Sequence, residues 1–279
     1  MARRPFNDEP ISRLAAWSSR LVLFALVVAG LSVIILRSNL LEIAPALATV
    51  AAALILAALA IVLALLAFVA IWRQGLAGLG RAILGLTLGV VLLAYPAYLG
   101  QRAYRYPAIS DITTDPANPP RYIALAAQRP KDRIVYPARN APLQRAAYPD
   151  IVPLQLTLPL RTSYAVVLGV LNKRKWTFIE SAPPTGNRGE ATIETTARTL
   201  LMGFRDDVVI RIAAVGTGSR IDLRSASRFG VHDFGANASR LRSLLEEIDE
   251  ASGNAPEPKP EAPLVKKPAP KRPGQKPKS

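Results

Sequence analysis

Few side chains in this 279-residue chain can do chemistry, and the shortage is itself informative. There is one histidine, His232, and no cysteine. Lack of cysteine removes disulfides, thiolate metal sites, a cysteine nucleophile and a lipidated cysteine anchor together. A single histidine leaves no partner for a His-based triad or a multi-histidine metal site. His232 falls in a loop ahead of the last predicted helix and fits a surface or capping role. Ser225 and Ser227 have no base in reach to activate them. Gly216 and Gly218 make a turn with no helix after it, so they do not cradle a phosphate. Asp206 and Asp207 are consecutive at a strand start and point to opposite faces, so they cannot chelate one ion. No metal and no cofactor is expected.

Two constellations remain open. Asp111 and Asp115 could form a carboxylate pair for acid–base work or cation binding. Alternatively, each makes an Asx-type turn in the Thr- and Pro-rich segment around it. With Asp207 they are the groups a hydrolase or transferase would use. The second constellation is Arg205, Arg211, Arg224 and Arg228, whose guanidinium forks suit an anion such as a phosphate headgroup.

The elements that position these groups come in two compositional blocks. Half the residues are hydrophobic but only 6% are aromatic, and Ala, Leu, Val, Ile and Gly crowd into the first hundred positions. That unevenness is a membrane signature. The net charge of +15 is spread along the chain, with 7 basic and 3 acidic residues in 1–100, 21 and 15 in 101–252, and 7 and 2 in 253–279. Spread positive charge with no recognition motif suits an anionic lipid or envelope polyanion and argues against nucleic acid.

Charge-free gaps define three spans: Leu21–Leu36 (16 residues), Ile43–Trp72 (30) and Ala82–Gln101 (20). The first is short of a hydrocarbon core of roughly 30 Å, but Trp17, Ser18 and Ser19 extend it and Arg20 can snorkel to the interface. Ser38-Asn39-Leu40 is a poor cleavage site, so the first span is expected to stay as a signal anchor. Tyr95, Tyr98, Tyr104 and Tyr106 form an aromatic belt at the exit of the third. No span holds an ionisable residue in its interior, which argues against a transporter or channel. Gly85 and Gly89 form a G-x-x-x-G expected to pack within the bundle, with a dimerisation face as the alternative. Six basic residues flank one side (Arg3, Arg4, Arg13, Arg20, Arg73, Arg81) and three the other (Arg37, Arg102, Arg105). The bias predicts a multi-pass inner-membrane protein with a cytoplasmic N-terminus and a periplasmic C-terminal domain.

Three parts follow: a transmembrane bundle over 1–106, a soluble domain over 107–251 and a disordered Pro/Lys-rich tail over 252–279. Residues 106–153 read as turn-rich and extended. Leu154–Leu158 alternates as a strand, and Thr162 or Ser163 caps a helix carrying Tyr164, Val167, Leu168 and Leu171 on one face. Strands follow over Trp176–Ser181, Glu190–Ala197, Val208–Val215 and Arg220–Ser227, then a helix over Asn237–Glu250. This β-α-β-β-β-β-α order predicts an α+β fold, an antiparallel sheet covered on one face by helices. If Gly216–Ser219 is a four-residue hairpin loop, Val215 faces Arg220, Asp207 faces Arg228 and Arg211 faces Arg224. The like-charged pair then needs an anion beside it, either Asp222 or Glu194 in an ion-pair network or a bound ligand.

The motifs Ile109-Ser110-Asp111-Ile112-Thr113-Thr114-Asp115 with Asn118-Pro119-Pro120, Tyr148-Pro149-Asp150, Gly203-Phe204-Arg205-Asp206-Asp207-Val208-Val209, Arg224-Ser225-Ala226-Ser227-Arg228 and Asp233-Phe234-Gly235-Ala236-Asn237 occur in this order. Together they resemble the domain-of-unknown-function family numbered 1499, over roughly residues 107–249. The resemblance implies a bacterial envelope setting for membrane-anchored members, and no established activity. The functional expectation is an envelope protein, more a binder than an enzyme. Its extracytoplasmic domain would take a partner protein or an anionic lipid-like ligand, and an envelope hydrolase or transferase is the alternative.

Overall fold

The computed structural model describes residues 10–38, 42–185 and 189–254. The Pro/Lys-rich tail lies, from residue 255 onward, outside the described residues, as do Arg3 and Arg4.

Three long apolar helices open the chain: α1 (Arg13–Ser38), α2 (Ile43–Gln74) and α3 (Leu79–Arg105). Their 26, 32 and 27 residues exceed the roughly 20 needed to cross a bilayer. Side-chain size is sorted inside out. Ala46, Ala53, Ala57, Ala60, Ala64 and Ala67 of α2 are fully buried, while Phe24, Val27, Ile34, Ile55, Val69 and Val91 lie exposed. Small residues let helices approach closely, and lipid is as good a solvent for a large aliphatic side chain as another helix is. Gly75 ends α2 in the left-handed region (φ 64°), its N–H donating to the Ile71 carbonyl at 3.0 Å.

After α3 the chain builds one antiparallel sheet. Its strands are β1 (Asp111–Thr113), β2 (Leu154–Leu156), β3 (Thr177–Ala182), β4 (Glu190–Arg198), β5 (Arg205–Val215) and β6 (Gly218–Ser227). The order is β1-β6-β5-β4-β3, with β2 also pairing β6. Helices α5 (Leu160–Lys173) and α6 (Ala236–Gly253) cover one face. There Ile193, Val208, Ile210, Ile212, Ile221 and Leu223 pack against Val167, Leu171, Leu241 and Ile248. The alternation read from the sequence puts these residues on a single face. The opposite face is covered by residues 114–139, an irregular strap whose Tyr122 and Leu125 pack on Val209 and Ala226.

Several expectations need correcting. The stretch read as irregular contains β1 and the short helix α4 (Asn140–Ala147). β1 has only three residues and depends on β6 for its bonds, and α4 has only eight, so neither carries enough periodicity to be read alone. α5 begins at Leu160, directly after Pro159, and neither Thr162 nor Ser163 caps it. Ser163 donates its hydroxyl to the Leu158 carbonyl at 3.2 Å.

The β5–β6 register also differs. Val215 pairs with Gly218, so the turn is the two residues Gly216-Thr217, with Gly216 at φ 57° as tight hairpins require. Arg211 therefore faces Asp222, not Arg224, and Asp207 faces Ala226. A shift of two residues keeps every side chain on its face, so the apolar pattern tolerated both registers.

Candidate functional site

The strap-covered face of the sheet is a ladder of buried ion pairs, and it holds most of the residues expected to form a site. Arg224, only 1% exposed, closes a two-pronged pair on Asp111, with Nε to Oδ1 at 3.0 Å and Nη2 to Oδ2 at 2.8 Å. Its guanidinium also donates to the Pro120 and Ile134 carbonyls and lies 4.5 Å from the centre of the Tyr122 ring. Arg211 and Arg220 share Asp222, each with a nitrogen 2.9 Å from it, and Arg220 reaches Asp115 at 2.6 Å. Arg129 and Arg228 share Asp207, which is fully buried, at 2.7 and 2.8 Å. Glu194 accepts the backbone N–H groups of Ile123, Ala124 and Leu125, pinning the strap to β4.

The two candidate carboxylates thus hold different arginines. Asp111 belongs to the Arg224 pair. Asp115 accepts the N–H groups of Ala117 and Asn118 at 3.1 and 3.0 Å as an Asx-type turn, besides its bond from Arg220. Burial raises the Asp111 carboxyl above its usual range despite Arg224 beside it. Burial also pushes Asp115 up, but the Asn118 N–H, Arg220 and the Ala117 N–H outweigh it and leave the group lowered. Burial drives the Tyr122 and Tyr136 phenols well above their ordinary range, so both stay neutral beside Arg224. Among the described residues, no group of three or more His, Asp or Glu side chains is placed to hold a metal.

On the helix-covered face, Asp206 pairs with Arg240 of α6 at 2.5 Å, and Ser225 donates to the Asn237 side chain at 2.6 Å. Ser227 accepts from the same amide at 3.0 Å. His232 stacks on Phe234 and contacts the Ala103 carbonyl of α3 at 3.2 Å. These groups lock α6 and the end of α3 to the sheet.

The end of the sheet nearest the bundle differs from the ladder. Arg198 of β4 stands opposite Arg205 of β5, and the N–H of Arg228, just past the end of β6, donates to the Arg205 carbonyl, so three arginines line up across this end of the sheet. Arg37, in the last turn of α1, donates to the Leu200 carbonyl at 2.5 Å and brings a fourth positive charge there. Among the described residues, the Arg198 and Arg205 side chains make no ion pair or hydrogen bond, and the nearest carboxylate in the ladder, Asp207, is already shared by Arg129 and Arg228. Like charges placed directly opposite are unfavourable without an anion nearby. Of the arginines singled out from sequence, Arg205 and Arg228 lie at this end, while Arg211 and Arg224 lie farther along the ladder. Arg37, Arg129 and Arg198 were not singled out. Arg129 sits in an irregular Gln-Arg-Pro stretch with no signal, but Arg198 was findable from the β4–β5 pairing, which sets it against Arg205.

Residues 111–248 match the family described as "Protein of unknown function (DUF1499)". The domain built on this sheet belongs to that family. The DUF1499 region starts at β1 and ends in α6, so it spans the whole sheet and both covering helices but none of the three apolar helices. A solved structure, TTHA0849 from Thermus thermophilus, is 12% identical, with 37% of this chain and 95% of that chain covered and a TM-score of 0.21. A score that low carries no argument about fold or chemistry. No curated protein matches the chain.

Proposed function

We propose that the chain is a membrane-anchored protein of the bacterial inner membrane whose DUF1499 domain, on the periplasmic side, works by binding an anionic, lipid-like ligand. The observation that carries this reading is the uncompensated pair Arg198 and Arg205 at the end of the sheet that meets the bundle, with Arg37 beside it and next to Arg228, which already shares Asp207 with Arg129. Elsewhere on this face each arginine of the ladder has a carboxylate. Clustered basic residues at a bilayer surface attract anionic headgroups, at about 1 kcal/mol for each Lys or Arg near the surface.

An enzymatic use of Asp111, Asp115 or Asp207 has less support, because each of these carboxylates already holds one or two guanidinium groups. Native mass spectrometry of the full chain released from membranes in mild detergent tests the reading. Retention of an anionic lipid-sized species above the level seen for neutral lipid is expected. A chain that retains neither, and whose melting temperature ignores both anionic lipid and inorganic phosphate, has no such function.

A further inference from the structure

The seam between the bundle and the sheet is shaped for one particular kind of anion. A cavity of about 190 Å³ opens there. Leu36 from the end of α1 and Ile43 from the start of α2 form one wall, Phe204 and Phe229 another, and Arg205 with Arg228 the polar side. The two phenyl rings are stacked, with centroids 6.0 Å apart. Leu36 and Ile43 sit where two apolar helices end on the same side, which is the depth of the bilayer at which headgroups give way to acyl chains. Leu200, 95% exposed, and Leu201 of the adjoining β4–β5 turn face outward beside the same helix end, held by the Arg37 bonds to their carbonyls.

We infer that this seam binds one anionic glycerophospholipid, with its phosphate between Arg198 and Arg205 and its glycerol and first acyl methylenes against Leu36, Ile43, Phe204 and Phe229. Side chains directly opposite across an antiparallel pair have Cβ atoms about 5 Å apart, close enough for two guanidinium forks to share one phosphate. A bound phosphate also relieves the repulsion between Arg198 and Arg205. The aliphatic and aromatic walls separate a lipid from a free anion, because inorganic phosphate leaves them uncovered. This inference rests on the anionic-ligand reading above and adds the ligand class and the place.

The test uses the full chain in nanodiscs of phosphatidylcholine, with and without phosphatidylglycerol, comparing wild type with Arg198→Gln/Arg205→Gln and with Arg161→Gln. Arg161 lies exposed near the start of α5 and matches the charge change away from the seam. Wild type is expected to melt higher with phosphatidylglycerol and not to respond to inorganic phosphate in phosphatidylcholine discs. The double variant is expected to lose about tenfold in apparent affinity for phosphatidylglycerol by lipid titration, and Arg161→Gln to lose none. Arg198→Gln alone, at an exposed side chain, serves if the double variant melts lower in phosphatidylcholine. Full affinity in these variants would overturn the seam while leaving the anionic-ligand reading intact. Equal stabilisation by inorganic phosphate would replace the lipid with a soluble anion. A wild type indifferent to both would sink the inference and the reading together.

Discussion

Asp111 and Arg224 are 113 positions apart in the chain and form a two-pronged ion pair with 6% and 1% of their surfaces exposed. The pair joins β1 to β6 beneath the strap, and Tyr122 and Tyr136 flank the guanidinium at 4.5 and 5.9 Å. Burying both ions is costly, so the pair is a weak source of net stability. Removing one partner is another matter, since the other is left charged and unpaired in a dry site.

Arg224→Leu is therefore expected to destabilise the chain by about 3–5 kcal/mol, and Asp111→Val by a similar amount. The double variant should recover much of the loss, giving a large coupling energy in a double-mutant cycle. Thermal and denaturant unfolding of the detergent-solubilised chain measures all three. A register with Arg211 facing Arg224 would predict the reverse for Arg224→Leu, because that change would relieve repulsion. The observed register, in which Arg211 faces Asp222, decides the sign.

The three apolar helices are legible because nothing but an uncharged run of sufficient length is needed to see them. Strands β4 to β6 are legible from alternation, which survives even a misplaced hairpin turn. Gly216-Thr217-Gly218-Ser219 fits either a two- or a four-residue loop, and the two registers share the same faces, so hydrophobic patterning could not choose between them. The ion ladder was legible only by half. Its β5 and β6 members are set by strand position, but Asp111 and Arg129 come from segments without period, and only the closed fold brings them to their partners. The open arginine row depends on Arg198 meeting Arg205 and on Arg37 arriving from a different element. Strand pairing sets Arg198 against Arg205, but no local pattern encodes the arrival of Arg37.

Asp115 gives a pH signature. Its lowered carboxyl contributes stability that is present above the unfolded value near 3.8 and is lost as the pH falls through the folded value. Asp111 and Asp233, raised by burial, act with the opposite sign and in a different window, above 3.8, where stability rises as the pH falls toward the unfolded value. Asp115→Asn keeps the turn to Ala117 and Asn118 but removes the charge that Arg220 holds. The variant is expected to melt below wild type at pH 7, with the gap closing as the pH drops below 3.8. A gap that is absent at pH 7, or that does not narrow as the pH falls below 3.8, would mean the carboxyl is not lowered.

Gly89 of α3 packs so closely on α2 that a Cβ there would lie 2.6 Å from Ile61 and 3.2 Å from the Ala57 carbonyl. Gly85 abuts Ser18 of α1, whose hydroxyl donates to the Ala60 carbonyl at 2.7 Å. Both glycines of the G-x-x-x-G thus face helices of the same chain. Gly89→Leu is expected to lower the melting temperature of the detergent-solubilised chain without changing its oligomeric mass by light scattering. Gly100→Ala, where a Cβ meets nothing within 4 Å, is expected to be neutral. A change of mass with Gly89→Leu would instead assign the motif to an interface between copies.

The last prediction concerns the side of the membrane. The domain touches the C-terminal ends of both α1 and α3, through Arg37 on Leu200 and His232 on Ala103. If the three helices cross a bilayer, those ends share one face and the domain lies opposite the N-terminus. The choice of compartment then rests on six flanking basic residues against three, which favours a cytoplasmic N-terminus. Alkaline phosphatase fused after Ser279 is expected to be active, and a fluorescent protein that matures only in the cytoplasm is expected to stay dark at the same position. Replacing Arg73 and Arg81 with alanine cuts the bias to four against three and is expected to give a mixed population showing both signals. Fluorescence without phosphatase activity in the unaltered chain would place the DUF1499 domain in the cytoplasm and overturn the proposed localisation.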